Sequence, residues 1–293
     1  ETKITGTPYM PGCVPALDAF KKGNPAPAMM SVAFTPWSIG YLTADALVNG
    51  LGKKTFFWQI RPDSWGTVTL QGFEDGIKEF GGKIVGVEQL PKGAPDYSAV
   101  INKALAAKPD VFITNMFGGD AVACIKTAYD MGLHKTSMLV NSWTTYEVAM
   151  GIPAEAAEQL YALTYYYYDI GGFSKDLAAR GKALREDHMK KYGFPPDAYA
   201  VLAYTAVDIL MQATEKAGSV DGKKVGEVLQ TATFNTVKGD ASFRKDHQLQ
   251  GEYLAFFVKG KAASKKKNKY DVFEVVGAYG GDKALPPLEK LGY

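Results

Sequence analysis

Residues 54–168 leave the least choice of fold. Short apolar runs rich in β-branched and aromatic residues occur at Thr55–Ile60, Ile84–Leu90, Val111–Asn115, Ser137–Asn141 and Leu160–Tyr168. Segments of helical period lie between them. Leu70, Phe73, Ile77 and Phe80 follow at i, i+3, i+7 and i+10, one stripe of a helix. Asp96 is placed to cap the second helix, which ends near Ala107. The third covers Ala121–Met131 and stops at Gly132, a residue suited to the left-handed C′ position. The strand starts recur every 23 to 29 residues. That is the length of a strand with its crossover helix, and a crossover joins parallel neighbours. The expected fold class is α/β, a parallel sheet flanked by helices.

Beyond Tyr168 the pattern changes. Ser174–Tyr192 reads as one long amphipathic helix with Leu177, Leu184 and Tyr192 inward and Gly193 at its end. Pro195-Pro196 breaks the chain, and Asp197 can cap a helix over Ala198–Ala217. A shorter helix, Lys223–Gln230, is followed by β-rich runs at Ala241–Phe243, Tyr253–Lys259 and Tyr270–Val276. The basic link GKAASKKKNK between the last two reads as a solvated hairpin tip. Gly277–Tyr293, with Pro286-Pro287, reads as an extended tail packed on the surface.

Composition removes several function classes. At 293 residues the chain is long enough for two lobes. A net charge of +2 gives no strong pull toward nucleic acid or acidic lipid, so no nucleic-acid partner is expected. The longest apolar stretch, Ala198–Ala213, contains Asp208 and falls short of the roughly 20 residues that span a bilayer, so no direct membrane insertion is expected. The chain starts at Glu1 without an initiator methionine or an export signal, as a mature or trimmed form would. Cys13 and Cys124 allow one disulfide, but Cys124 lies on an apolar helix face and is read as a buried free thiol. His134, His188 and His247 fit no familiar zinc spacing, and neither metal nor cofactor is expected.

In an open parallel sheet, ligands bind beyond the carboxyl ends of the strands, where helix N-termini and their unpaired N–H groups converge. This picks out three turns: Gln59–Gly66, Met116–Asp120 and Asn141–Tyr146. Each carries an aromatic residue (Trp65; Phe117; Trp143 with Tyr146) and hydrogen-bonding groups (Arg61, Asp63 and Ser64; Asp120; Asn141, Ser142, Thr144 and Thr145). Aromatic walls with a few polar fixers make a small-molecule pocket. Plainer readings stand beside each. Trp58 belongs to the core, and Trp65 is either a ligand wall or packing. Arg61 and Asp63 either serve a ligand or pair with each other. Alternation along a strand would turn two rings of Tyr165–Tyr168 to the core and two to a cleft. The chain has no phosphate-binding GxxxxGK[ST], no GxSxG elbow and no HExxH, and no nucleophile or base sits where a mechanism would need it; it is not read as an enzyme.

The succession KKTFFWQIRPDSWG, LQGFEDGIKEFGGKIVGVEQL, APDYSAVINKALAAKPDVFITNMFGGD resembles the type I periplasmic solute-binding proteins of ABC importers, most closely the leucine/isoleucine/valine-binding (branched-chain amino acid) family. YAVLAYTAVDILMQATEKAGS resembles the family's long helix, and FNTVKGDASFRKDHQLQGEYLAFFVK its closing strands. The resemblance implies two α/β lobes joined by three crossing segments, with a ligand held between lobes that close like a hinge. On it, residues 1–37 and 166–254 form a partial first lobe and residues 38–165 and 255–293 the second. Crossings fall near Met30–Trp37, Tyr166–Asp169 and Leu254. The family's opening strands and helices, the N-terminal part of the first lobe, have no counterpart here, which would leave apolar surface open.

Site residues carry over singly. Trp65 stands at an aromatic position that stacks on the ligand, and Phe117 at another. Thr7 and Tyr9 match a first-lobe loop that holds a ligand carboxylate, with Tyr9 in place of a small hydroxyl residue. Where amino-acid binders place an acid for the ligand ammonium, this chain has Asn141, Ser142 and Trp143. An α-amino acid would leave its cation unpaired in a dry cleft. The resemblance thus implies a receptor for an aromatic or apolar carboxylate or a small amide, with Arg61 as the cation for a carboxylate. It also implies an ABC importer permease as partner and a periplasmic or extracytoplasmic location, lipid-anchored or free. A ligand-sensing regulatory module of the same fold and an α/β enzyme on a small metabolite are the alternatives.

Overall fold

The computed structural model describes residues 6–11, 15–26 and 28–293. Cys13, and with it any disulfide to Cys124, lies outside them.

The first half builds one sheet. Helix α1 (Pro36–Asp45) continues as a π-helical turn to Gly50 and leads to β1 (Thr55–Ile60). Then follow α2 (Ser64–Phe80), β2 (Lys83–Gln89), α3 (Ser98–Ala107), β3 (Val111–Thr114), α4 (Gly118–Asp130) and β4 (Met138–Asn141). Two short helices, α5 (Tyr146–Met150) and α6 (Ala154–Glu158), precede β5 (Leu160–Thr164). These five strands pair in parallel in the order 5-4-3-1-2. Every side chain of β3 is buried, as in a strand covered on both faces. On one face Phe56 and Trp58 meet Phe73 of α2 edge-on at 5.0 and 4.9 Å.

The second half runs through α7 (Lys175–Arg180), α8 (Lys182–Tyr192), α9 (Ala198–Ala217) and α10 (Gly222–Thr231). It continues into an antiparallel three-stranded sheet of β6 (Thr233–Thr236), β7 (Gly239–Phe243) and β8 (Leu249–Gly251). The chain then returns to the first sheet. There β9 (Ala255–Gly260) pairs antiparallel with β5, and β10 (Phe273–Tyr279) antiparallel with β9, completing seven strands. Asp197 caps α9 as expected, its Oδ1 accepting from Ala200 N at 2.6 Å. Asp197→Ala should cost about 1 kcal/mol of stability by chemical denaturation; no measurable loss would mean that water replaces the cap.

Several expectations need correction. The last parallel strand ends at Thr164, not Tyr168, so Tyr165–Tyr168 do not alternate and all four rings are buried. Ser174–Tyr192 is two helices broken at Gly181, where a Cβ would collide with the Tyr166 hydroxyl; Tyr192 is exposed rather than inward. Helix α4 starts at Gly118, three residues earlier than Ala121; Gly118 itself takes φ +58°, a left-handed turn that glycine allows where the chain enters the helix. The tail is not extended throughout: β10 reaches Tyr279, and 3₁₀ turns follow at Asp282–Ala284 and Leu288–Leu291. Of the predicted α2 stripe only Phe73 is fully buried. The row that meets α1 is Thr69, Gly72 and Gly76, because the two backbones approach too closely for large side chains. Neither α1 nor the short strands β6 and β8 carried a periodic signal long enough to read.

Candidate functional site

The strand order places β1 between β2 and β3, so the chain leaves β1 to one side and comes back on the other. Such a switch point opens a crevice at the strand ends, because the two flanking connections diverge over opposite faces. The turns after β1 and β3 lie on either side of it. They hold Arg61 and Trp65, and Phe117.

These three residues are brought together. The Trp65 and Phe117 rings meet edge-to-face with centroids 5.8 Å apart, and the Arg61 guanidinium lies 5.0 Å over the Phe117 ring. The Trp65 indole N–H donates to Asn115 O at 3.2 Å. Phe117 is 36% exposed, the most open wall of the group. Arg61 pairs with Asp63, whose other carboxylate oxygen caps α2 by accepting from Gly66 N at 3.2 Å. The plainer reading of this pair therefore applies: Arg61 and Asp63 pair with each other, which partly neutralises Arg61, and Asp63 also caps the helix. The guanidinium keeps one buried N–H, at Nε, with no partner.

Asn115 is the link that sequence reasoning missed. It follows β3, and in the sequence it reads as the end of that apolar run. Its Nδ2 donates to Ser142 Oγ at 3.1 Å, tying the turn after β3 to the turn after β4. Asn141 Nδ2 donates to Thr114 O and Met116 O at 3.1 and 2.8 Å and holds the start of the Phe117 turn. Asn115 Oδ1 and Asn141 Oδ1 are buried without partners. With Arg61 Nε, that makes three orphaned polar atoms at the tips of three adjacent strands. Buried polar groups are normally satisfied, so each of these calls for a water or a ligand atom.

Ser142 is fully buried, and Trp143 is 1% exposed in a separate aromatic layer. Phe34 meets Trp143 edge-on at 5.3 Å and stacks on Tyr165 at 6.0 Å, while the Trp143 indole N–H donates to the Tyr199 hydroxyl at 3.1 Å. The two indoles thus do not share one wall; Trp143 joins the Trp65 group only through Ser142 and Asn115. Tyr146 turns away to donate to Pro195 O at 2.9 Å, and Asp120 accepts from Gly93 N at 3.0 Å. Thr7 and Tyr9 are exposed on the side of the smaller sheet. The Tyr9 backbone pairs with Ala28 and Met30, and Gly6 backs onto Gly222 of α10.

Cys124 is buried and, among the described residues, free, and burial pushes its thiol up to about 12. Among the described residues no cluster of histidine, cysteine and carboxylate side chains could hold a metal ion, and no helix is long and apolar enough to cross a membrane.

A family model for periplasmic binding proteins matches residues 3–266. Among curated relatives, the Leu/Ile/Val-binding protein homolog 1 of Brucella suis is 29% identical over 200 residues, covering 65% of this chain and 51% of its own length. The amino acid ABC transporter substrate-binding protein of Pseudomonas fluorescens Pf-5 superposes with a TM-score of 0.88 at 20% identity, over 99% of this chain and 75% of that one. A solute-binding protein from R. palustris, solved with benzoate, superposes with a TM-score of 0.78 at 19% identity, over 97% and 75%. The chain spans about half the length of the curated relatives it matches. By the extent of the matched model and by the sheet order that carries it, the chain belongs to the periplasmic binding protein family, in the type I, branched-chain amino acid branch.

Proposed function

We propose that this chain is an extracytoplasmic receptor that captures a small aromatic or apolar carboxylate, or a related amide, and presents it to the permease of an ABC importer. Residues 1–37 with 166–254 form one lobe, in part, and residues 38–165 with 255–293 the other. The supporting topology is that β9 and β10 rejoin the sheet begun by β1. The observation that carries the ligand class is the group of Trp65, Phe117 and Arg61 at the switch point, together with Asn141, Ser142 and Trp143 in place of an acid after β4. Ring burial supplies most of the binding energy, at about 25 cal/mol per Å² of apolar surface. A charge-assisted bond from Arg61 sets the orientation. The same fold holds benzoate in the R. palustris protein.

Calorimetric titration with benzoate and with L-leucine tests the ligand class. Benzoate should bind at least about tenfold tighter, a difference of about 1.4 kcal/mol; tighter binding of leucine would overturn the class. A second comparison isolates Arg61. Arg61→Ala should weaken benzoate by about tenfold or more and benzamide by much less, because only the carboxylate loses a charged partner. Equal losses would remove Arg61 from that role.

A further inference from the structure

The chain passes between its two sheets three times: at Val32–Phe34 before α1, at Tyr165 after β5, and at Leu254 before β9. All three passages converge on one side chain. Lys238 lies in the turn between β6 and β7 and is 4% exposed. Its Nζ donates to Leu254 O at 2.7 Å and sits 3.1 Å from the centroid of the Tyr165 ring. The Tyr165 hydroxyl in turn donates to Val32 O at 3.3 Å. One amine thus holds the third passage by a hydrogen bond and the second by its ring, and through that ring it reaches the first.

The turn is built to aim this amine. Thr236 Oγ1 donates to Gly239 O at 2.7 Å and accepts from Lys238 N at 3.1 Å, while Gly239 takes φ +100°, a backbone that other residues rarely adopt. Among the described residues no carboxylate offsets the burial of Lys238, and that burial pushes its ammonium well below the usual lysine range. A methionine of similar length would fill the space without that desolvation penalty. What methionine would lack is the directional N–H bond to Leu254.

We propose that Lys238 is the pin of the hinge, a positioning residue that keeps the three passages in register. The proposal rests on the receptor reading for its purpose, but its geometry does not depend on a ligand. Rotation of one sheet against the other must stretch the bond to Leu254 O or slide the amine off the Tyr165 ring. The pin therefore sets how readily the sheets move apart and how well the closed arrangement is held.

Hydrogen exchange on the ligand-free protein tests it. Lys238→Met should raise exchange by about tenfold in peptides covering residues 30–36, 163–168 and 252–256, and leave α3 and α4 unchanged, since exchange reports local opening. Unchanged exchange at the passages, or a uniform rise across the whole protein, would overturn the proposal. Tyr165→Phe provides a second arm that keeps the ring over Lys238 and removes only the bond to Val32. It should loosen residues 30–36 alone; no change there would break the chain of contacts on which the pin depends. Small-angle scattering of the unaltered protein with benzoate and L-leucine separates the two ideas. Failure of both acids to compact the protein counts against the receptor reading, while the exchange contrast still decides the pin.

Discussion

Gly40→Ala is expected to lower the thermal midpoint by about 6–12 °C. Helices α1 and α2 meet backbone to backbone. A Cβ on Gly40 would collide with Thr69 O and lie 2.6 Å from Phe73 N, and one on Gly72 would collide with Trp37 O. Main-chain atoms cannot swing aside, so the helices must separate. Separation breaks the bonds that join them: the Trp37 indole to Asp75 at 2.7 Å and the Tyr41 hydroxyl to Glu79 at 2.6 Å. Overpacking costs about 1–3 kcal/mol, and obstacles that cannot move place this site at the upper end. At roughly 2–4 °C per kcal/mol for a chain of this size, the shift is large enough for calorimetry. Gly119→Ala is the control, since a Cβ there meets nothing within 4 Å; it should be neutral or slightly stabilising. Equal effects of the two substitutions would show that the helices have room.

Trp65→Ala should weaken benzoate binding at least about tenfold, the usual effect of removing a central aromatic wall. It should also cost some stability, because the ring packs on Phe117 and donates to Asn115 O. Trp65 is only partly buried, so that cost should be below the roughly 3–5 kcal/mol of a fully buried tryptophan. Calorimetry of binding and of unfolding on the same variant separates the effects. A large fall in midpoint with unchanged affinity would make Trp65 a packing residue and move the site elsewhere.

Much of the larger sheet was legible. The strand starting at Thr55 has the predicted bounds, and the next three are placed within a residue or two, because buried parallel strands are continuous apolar runs with little else to be. Cap signals were equally direct at Asp197, whose side chain starts a helix, and at Gly132, where a left-handed glycine ends one. Reading failed where the tertiary contact decides. Gly181 looks like a tolerable glycine in a long helix until the Tyr166 hydroxyl is found lying where its Cβ would be. The four tyrosines look like a strand, yet the chain leaves the sheet after Thr164 and buries every ring among different partners.

At the site, residue types were legible and neighbourhoods were not. The chain alone determined which residues end each strand, since aromatic and polar side chains after an apolar run need no third dimension to be noticed. Only the fold decided that β1 lies between β2 and β3, that Asn115 joins two turns, and that Trp143 is sealed behind Phe34. The physical reason is range. Strand and helix periods are set by bonds within a few residues, whereas strand order and ring contacts are settled by burying surface between segments far apart in the chain, which no local pattern encodes.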